Sequence, residues 1–301
     1  MKKVAILASD NMMPGHPNQR PDFFERDEQM SKLVAAFKAY GMELDLIAWR
    51  GASEKAAQYD AVLPLFVWDY FEGNETAFKM EMAKVDAQTQ LLNDFTTLKW
   101  NVNKSYLDEL AGRGAPVIGT VTVDCVSESA VQKAFEELET DKIVIKPQIG
   151  AGAWRQVLYE KGVPFPSKDE LPPEAAMIQT YLPKVVEEGE FSFLYFDGQF
   201  SHGVIKRPKS GDYRIQSIYG GTEETYQPSR SERAAARLVL SALDFTPLYA
   251  RVDLLRGLDD QLKLIELEMI EPYLYLTHAE GEGGENKGAR RLAEALLKRL
   301  V

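Results

Sequence analysis

Lys3 to Ala8 (KVAILA) is an unbroken apolar run closed by Ser9-Asp10, the pattern of a short strand buried on both faces. A polar stretch from Ser9 to Phe23 follows, with three prolines and one glycine; loops of this length in compact domains usually carry function or mobility. Met30, Leu33, Val34 and Phe37 then recur at helical spacing, which predicts an amphipathic helix over Phe24–Tyr40 that stops at Gly41. Apolar runs at Glu43–Ala48 and Ala61–Phe66 predict two further strands. This strand–helix–strand rhythm is that of a parallel α/β layer.

The pattern continues with helices expected over Glu75–Asn93 and Lys104–Ala111, a strand at Pro116–Ile118, and a helix over Ser127–Leu138 begun by a serine cap. The character then changes. Ile143–Lys146, Ala176–Gln179, Glu190–Phe196, Gln199–Lys206 and Tyr213–Ile218 read as short strands separated by turns such as Asp197-Gly198, an antiparallel α+β arrangement. A helix over Ser231–Leu243, a hairpin over Tyr249–Glu268 turning at Asp259-Asp260, and a helix over Ala289–Leu300 complete the prediction. No internal repeat interrupts it. The fold class expected is an N-terminal parallel α/β domain followed by a domain with two α+β lobes, with the boundary near residues 95–103 and the domains written as 1–100 and 101–301.

Length and charge narrow the reading. At 301 residues the chain has room for two domains. A formal charge of −11 argues against sequence-independent nucleic-acid binding, which needs a basic surface to neutralise phosphates, but leaves room for a local cationic pocket. With Cys125 as the single cysteine and only His16, His202 and His278 as histidines, a disulfide framework, a cysteine-built zinc site and a histidine metal cluster drop out. The Met-Lys-Lys start leads into an apolar run too short for a signal peptide, and the longest apolar stretch, Ala61–Val67, is far below the ~20 residues a membrane span needs. A cytoplasmic protein with no membrane role is expected.

Several constellations suggest chemistry. Lys146 ends the buried run Ile143–Lys146, where a lysine can snorkel to water; Gly150 and Gly152 follow in a turn whose N–H groups can approach phosphates. The segment Met177–Pro183 runs from an apolar strand into irregular backbone that could read an adenine edge, and Glu190 opens the next strand, where it is either a ribose acceptor or a solvated start. His202 to Arg214 holds Lys206, Arg207, Lys209 and Arg214, an anion-binding patch or a solvated hairpin loop; Arg214 suits forked recognition of carboxylate or phosphate. His202 itself reads as structural.

The acidic trio is the strongest of these. Glu266 and Glu268, two apart in a strand, share one face, and the hairpin brings Asp253 beside them. Carboxylates converging on an apolar hairpin need a compensating cation, and oxygen ligands select Mg²⁺ or Mn²⁺. The competing reading is an exposed acidic edge paired with Arg251, Arg256 and Lys263.

In order along the chain, Lys104, Lys-Pro with its glycine loop, the hinge strand, Glu190, Lys206, Gly-Asp-Tyr-Arg, Val-Asp and Glu-Leu-Glu resemble an ATP-grasp protein over residues ~100–301. The likeness is greatest to the glutathione synthetase and O-ureido-serine cyclo-ligase group: Trp100-Asn101 before Lys104, Gly-Asp-x-Arg and Glu-Leu-Glu…Glu-Pro-Tyr-Leu resemble the latter. The resemblance implies an N-terminal pre-ATP-grasp domain and an ATP-grasp domain. It implies that Lys104, Lys146 and the Gly150–Gly152 turn hold ATP phosphates, that Gln179, Tyr181 and Leu182 frame adenine, and that Glu190 meets the ribose. Lys206 would contact the nucleotide, Arg214 would stabilise the transferring phosphate, and Asp253, Glu266 and Glu268 would bind Mg²⁺ or Mn²⁺. The Asp10–Asp22 loop and Trp68-Asp69-Tyr70 are expected near substrate. Two departures stand out: Glu268 lies where many members carry Asn, with Glu271 a candidate substitute ligand, and Trp154 is unusual in the glycine loop.

The activity so implied is ATP-dependent ligation of a small carboxylic acid to an amine through an acylphosphate, with small-molecule substrates as partners, no nucleic acid and no membrane, and room for a homo-oligomer. A non-catalytic ATP-binding protein of the same fold, a small-molecule kinase and a nucleotide-free acidic scaffold are the alternatives.

Overall fold

The computed structural model describes residues 1–215 and 220–300. A four-stranded parallel sheet is formed by β1 (Lys2–Ala8), β2 (Met42–Ala48), β3 (Ala61–Phe66) and β4 (Gln90–Leu91) in the order β2-β1-β3-β4. Every side chain of β3 is buried, as its apolar run requires. Helix α1 (Phe23–Ala39) packs on this sheet beside the last helix, while α2 (Glu75–Asp86) lies over its other face.

Two helices, α3 (Phe95–Asn101) and α4 (Tyr106–Gly112), lead out of the parallel layer. The second sheet is antiparallel: β5 (Thr120–Val123), β6 (Lys142–Pro147), β7 (Val157–Glu160) and β8 (Ala176–Thr180) pair in the order β5-β8-β6-β7, backed by α5 (Glu128–Glu137). Ser127 caps α5, accepting a bond from the Ala130 N–H. After α6 (Lys184–Glu187), the third sheet is formed by β9 (Glu190–Phe196), β10 (Gln199–Arg207), β11 (Thr222–Tyr226), β12 (Tyr249–Arg256) and β13 (Leu262–Glu268), ordered β11-β10-β9-β12-β13. Helix α7 (Arg230–Ser241) opens with a full capping box between Ser229 and Glu232, and α8 (Lys287–Arg299) ends the fold against α1. The expected fold class, a parallel α/β layer followed by two antiparallel α+β lobes, is the architecture observed.

Several boundaries differ from the pattern-based expectation. The helix expected to reach Asn93 stops at Asp86, because Gln90 and Leu91 pair with Ala61 and Val62 as the edge strand. Residues Pro116–Ile118 touch β13 only through an isolated bridge at Val117, and the strand lies at Thr120–Val123 instead. The strand expected at Tyr213–Ile218 is irregular as far as Ile215, and its remaining residues lie outside those described.

Two buried asparagines fix the position of the α3 segment on the hairpin. Asn93 Nδ2 donates to the carbonyls of Tyr249 (3.0 Å) and Met269 (2.8 Å), and its Oδ1 accepts from Leu248 N (2.6 Å). Asn101 donates to Leu267 O and accepts from Met269 N, at 2.8 and 2.9 Å. These bonds set Lys104, three residues on, beside the end of β6, where its N–H donates to Gln148 O.

His202 takes the structural role expected of it. It is 6% exposed, with Nε2 2.9 Å from Leu274 O and Nδ1 2.9 Å from Ser201 Oγ. Burial pushes its pKa down to about 4. Below its ordinary value near 6.5 the unfolded chain binds a proton that the folded chain refuses, so stability falls with pH between about 6.5 and 4. Urea unfolding of the protein and of His202→Gln at pH 7 and pH 4.5 checks this. Most of an acid-linked loss of about 2–3 kcal/mol is expected in the former and absent in the variant.

Candidate active site

A cavity of about 710 Å³ opens between the second and third sheets. Its walls contain every residue for which the resemblance implies a nucleotide, phosphate or metal contact: Lys104, Lys146, Gly150, Gly152, Gln179, Tyr181, Leu182, Glu190, Lys206, Arg214, Asp253, Glu266 and Glu268. The alternation of β12 and β13 explains the acidic side of this wall. Their register sets Asp253 opposite Glu266 and Arg251 opposite Glu268, so all four side chains fall on one face while Val252 and Leu267 enter the core.

Cations hold these carboxylates apart. Arg251 grips Asp253 through Nε (3.0 Å to each oxygen) and Nη2 (2.8 Å), and Nη2 also meets Glu268 Oε1. Asp253 is 2% exposed, accepts a bond from Ser192 Oγ, and lies 3.7 Å from Lys206 Nζ. Lys206 pairs with Glu190, and Lys104 pairs with Glu266 at 3.1 Å while donating to Gly150 O. As they stand, no three acidic, histidine or cysteine side chains among the described residues are close enough to share a metal ion. The donor set is all carboxylate oxygen, which suits a hard divalent cation; its present spacing is the one that Arg251 and Lys104 impose.

Charge balance sets the titration of these groups. Burial raises Glu190 and raises Glu268 well above the ordinary carboxylate range, although Lys206 and Arg251 oppose it. Burial works against the Lys206 ammonium, but Asp253 and Glu190 outweigh it and raise its pKa. Burial lowers Lys146, with Glu266 opposing and Lys104 reinforcing. No hydrogen bond or ion pair engages the Lys146 ammonium among the described residues.

The local backbone accounts for several placements. Gly189 sits at φ +106°, where a Cβ would collide with the Lys206 carbonyl; glycine there lets β9 start against β10 with Glu190 opposite Lys206. In the glycine loop, Gly152 (φ +62°), Ala153 (+58°) and Arg155 (+53°) are all left-handed, and Trp154 stands half exposed at the cavity mouth. At the hinge after β8, Tyr181 N donates to Lys142 O (2.9 Å). Among the described residues the Tyr181 carbonyl and the Leu182 N–H have no backbone partner. Gln179 is held by its bond to Thr120 Oγ1 (3.0 Å). Arg214 forms a fork with Asp212, at 2.7 Å from Nη2 to Oδ2, and that guanidinium holds the Asp212 carboxyl far below its ordinary range.

A second cavity of about 690 Å³ adjoins the first and shares Arg20, Asp22, Glu25, Trp154, Arg251 and Tyr273 with it. The parallel layer supplies Arg20, Asp22, Trp68 and Phe71. Of the segments expected near substrate, the Asp10–Asp22 loop therefore contributes its last residues and Trp68 its ring. Asp69 is instead held by Trp49 Nε1 and Arg50 Nη1, both at 2.7 Å, and Tyr70 packs against Phe78. Glu271 faces this second cavity and not the first, with burial raising its pKa to about 8. Sequence reasoning named Arg251 only in the competing reading, as a partner of an exposed acidic edge; the signal for its place in the cavity was its position two residues before Asp253, hence on the same strand face. Ser192 and Glu25 carried no signal of their own.

A nucleotide-sized cleft between two antiparallel α+β sheets, lined by lysines, a glycine loop and hairpin carboxylates, is the ATP-grasp arrangement, and the chain belongs to the ATP-grasp superfamily. It is an ATP-dependent carboxylate–amine ligase. Residues 4–93 match the family described as "D-cycloserine synthetase DcsG, N-terminal domain". The chain is similar to the cycloserine biosynthesis protein DcsG of Streptomyces lavendulae, 27% identical over 291 residues, covering 91% of this chain and 94% of that protein. Among solved structures it resembles D-cycloserine synthetase DcsG, at 25% identity and a TM-score of 0.83 over 99% of this chain and 100% of the other. It shares its fold with D-alanine–D-alanine ligase from Bacillus anthracis complexed with ATP, at 14% identity and a TM-score of 0.65 over 100% and 97%. No helix among the described residues is long and apolar enough to cross a membrane.

Proposed function

We propose that the chain joins a small carboxylic acid to an amine through an acylphosphate, with Mg²⁺ assisting. The observation that carries this is the single cleft in which an unpaired lysine, a glycine loop and a carboxylate hairpin meet a second cavity built partly from the parallel layer. In this reading residues 1–100 form the acceptor-side domain and 101–301 the nucleotide- and metal-binding domain. The likeness to a cycloserine biosynthesis protein favours an amino-acid-derived acid.

Each residue's part follows from its chemistry. Lys146 and Lys104 hold the terminal phosphates, with backbone N–H groups of the Gly150–Gly152 turn closing over them. The unpaired Tyr181 carbonyl and Leu182 N–H suit an adenine edge, and Glu190 suits the ribose hydroxyls. Lys206 and Arg214 neutralise charge as the phosphoryl group moves from ATP to the substrate carboxylate, a transfer that needs positioning more than a protein nucleophile. Asp253, Glu266 and Glu268 would hold Mg²⁺, which would supply positive charge to offset that of the phosphates. The glycine loop, with Trp154 at its tip, keeps water from the acylphosphate.

The test is ADP release from Mg²⁺-ATP against pools of amino acids and small carboxylic acids, with Asp253→Asn alongside. Release that depends on one pool, and falls at least about 10³-fold in the variant, is expected, as for loss of a group that stabilises transition-state charge. A phosphorylated acid as the only product would favour a kinase, and ATP binding without turnover in any pool a non-catalytic protein.

A further inference from the structure

Nothing assigned so far accepts the proton that the amine must lose. An attacking amine arrives as an ammonium at neutral pH and is nucleophilic only once deprotonated. Its path lies where the two cavities join, since the nucleotide side holds the acylphosphate and the parallel layer lines the acceptor side. The carboxylates on this shared wall are Asp22, Glu25 and Glu268. Asp22 is tied to Arg20 at 3.0 Å, and Glu268 is gripped by Arg251. Among the described residues, the Glu25 carboxylate has neither a hydrogen bond nor an ion pair, and the residue is half-buried in the first turn of α1.

We propose, resting on the ligase reading above, that Glu25 is the general base for the amine. Its carboxylate receives the ammonium by charge and hydrogen bond and takes one proton. The neutral amine then attacks the acyl carbon, the C–N bond forms, and the bond to phosphate breaks, releasing inorganic phosphate. The second proton on nitrogen leaves to solvent or to the departing phosphate.

The surroundings support this task. Burial and the neighbouring carboxylates Asp22, Glu223 and Glu28 raise the Glu25 pKa to about 7, with Arg251 opposing, and the Tyr273 hydroxyl lies in the same field. A base poised near the working pH both accepts and releases its proton readily. The helix N-terminus would by itself favour ionised Glu25 and is outweighed. Glu271, also raised, does not compete for the role: it lies outside the nucleotide cavity and accepts a hydrogen bond from Tyr70.

Hydroxylamine separates the roles, because it is uncharged at neutral pH and needs no base. Wild-type protein and E25Q would be given Mg²⁺-ATP and a pool of D- and L-amino acids, with and without hydroxylamine. The expected result is that E25Q still forms hydroxamate but forms amide about 10²–10⁴-fold more slowly. Its ATP affinity is retained and its thermal midpoint is not lowered, since the carboxylate lost was unpaired and its charge was opposed by burial. The wild-type amide rate should rise through pH 7, and that limb should vanish in E25Q. Hydroxamate from both proteins with amide formed by E25Q at the wild-type rate and pH profile overturns the assignment alone. No hydroxamate from the wild-type protein overturns the ligase reading and this assignment with it.

Discussion

Lys146→Met is expected to weaken ATP binding about 100-fold while leaving the fold at least as stable, a combination that a structural lysine would not give. The ammonium lies at the end of β6 in the first cavity without an ion pair among the described residues, and burial depresses its pKa. The sign follows from linkage: the folded chain holds this proton less tightly than the unfolded one. The penalty is therefore complete below the depressed value and is released as pH rises toward the ordinary lysine value near 10.4. Methionine keeps most of the stem and removes the penalty. A charge-assisted bond from lysine to phosphate contributes about 1.5–3 kcal/mol, which sets the expected affinity loss. Calorimetric titration with ATP and thermal unfolding read the two effects separately. Unchanged affinity with lowered stability would make Lys146 a framework residue.

Arg251→Met is expected to do the opposite, costing about 3–5 kcal/mol of stability and abolishing turnover. Arg251 is 8% exposed and holds Asp253 and Glu268 at once, so its removal leaves two carboxylates uncompensated on a buried hairpin face. Its guanidinium also faces Tyr275 and donates to Tyr273 O, contacts that methionine keeps only in part. Because the freed carboxylates attract a divalent cation, Mg²⁺ should raise the thermal midpoint of the variant more than that of the wild-type protein. Equal Mg²⁺ shifts in both would show that Arg251 does not compete for those oxygens.

The hairpin was the most legible part of the chain. Tyr249–Arg256 and Leu262–Glu268 flank a turn at Asp259-Asp260, and the alternation of Glu266 and Glu268 about Leu267 predicts the acidic face that Asp253 joins; the register shift between Asp253 and Leu254 was not legible. The α1 and α5 helices were equally clear, from helical spacing in one and a serine cap in the other. Thr222–Tyr226 was not legible, because its TEETY sequence is an exposed edge with no apolar alternation. The end of α2 was hidden as well: the pairing of Gln90 and Leu91 with β3 outweighs local helix propensity. Within the site, residues of the first cavity were named from sequence through their order along the chain. Sequence reasoning named Arg251 only as a partner on an exposed edge, because a same-strand partner of Asp253 looks the same on paper whether it is buried or solvated. It left out Glu25, because its significance lies in what it fails to touch, and only three-dimensional placement shows that.

The most direct test of the acylphosphate route follows the oxygen atoms. Pooled amino acids carrying ¹⁸O in their carboxylates would be turned over with Mg²⁺-ATP, and the released phosphate examined by mass spectrometry. Ligation through an acylphosphate predicts one labelled carboxylate oxygen in each phosphate, because the bond that breaks in the second step lies between the acyl carbon and that oxygen. Phosphate without label, formed alongside a new amide, would contradict it.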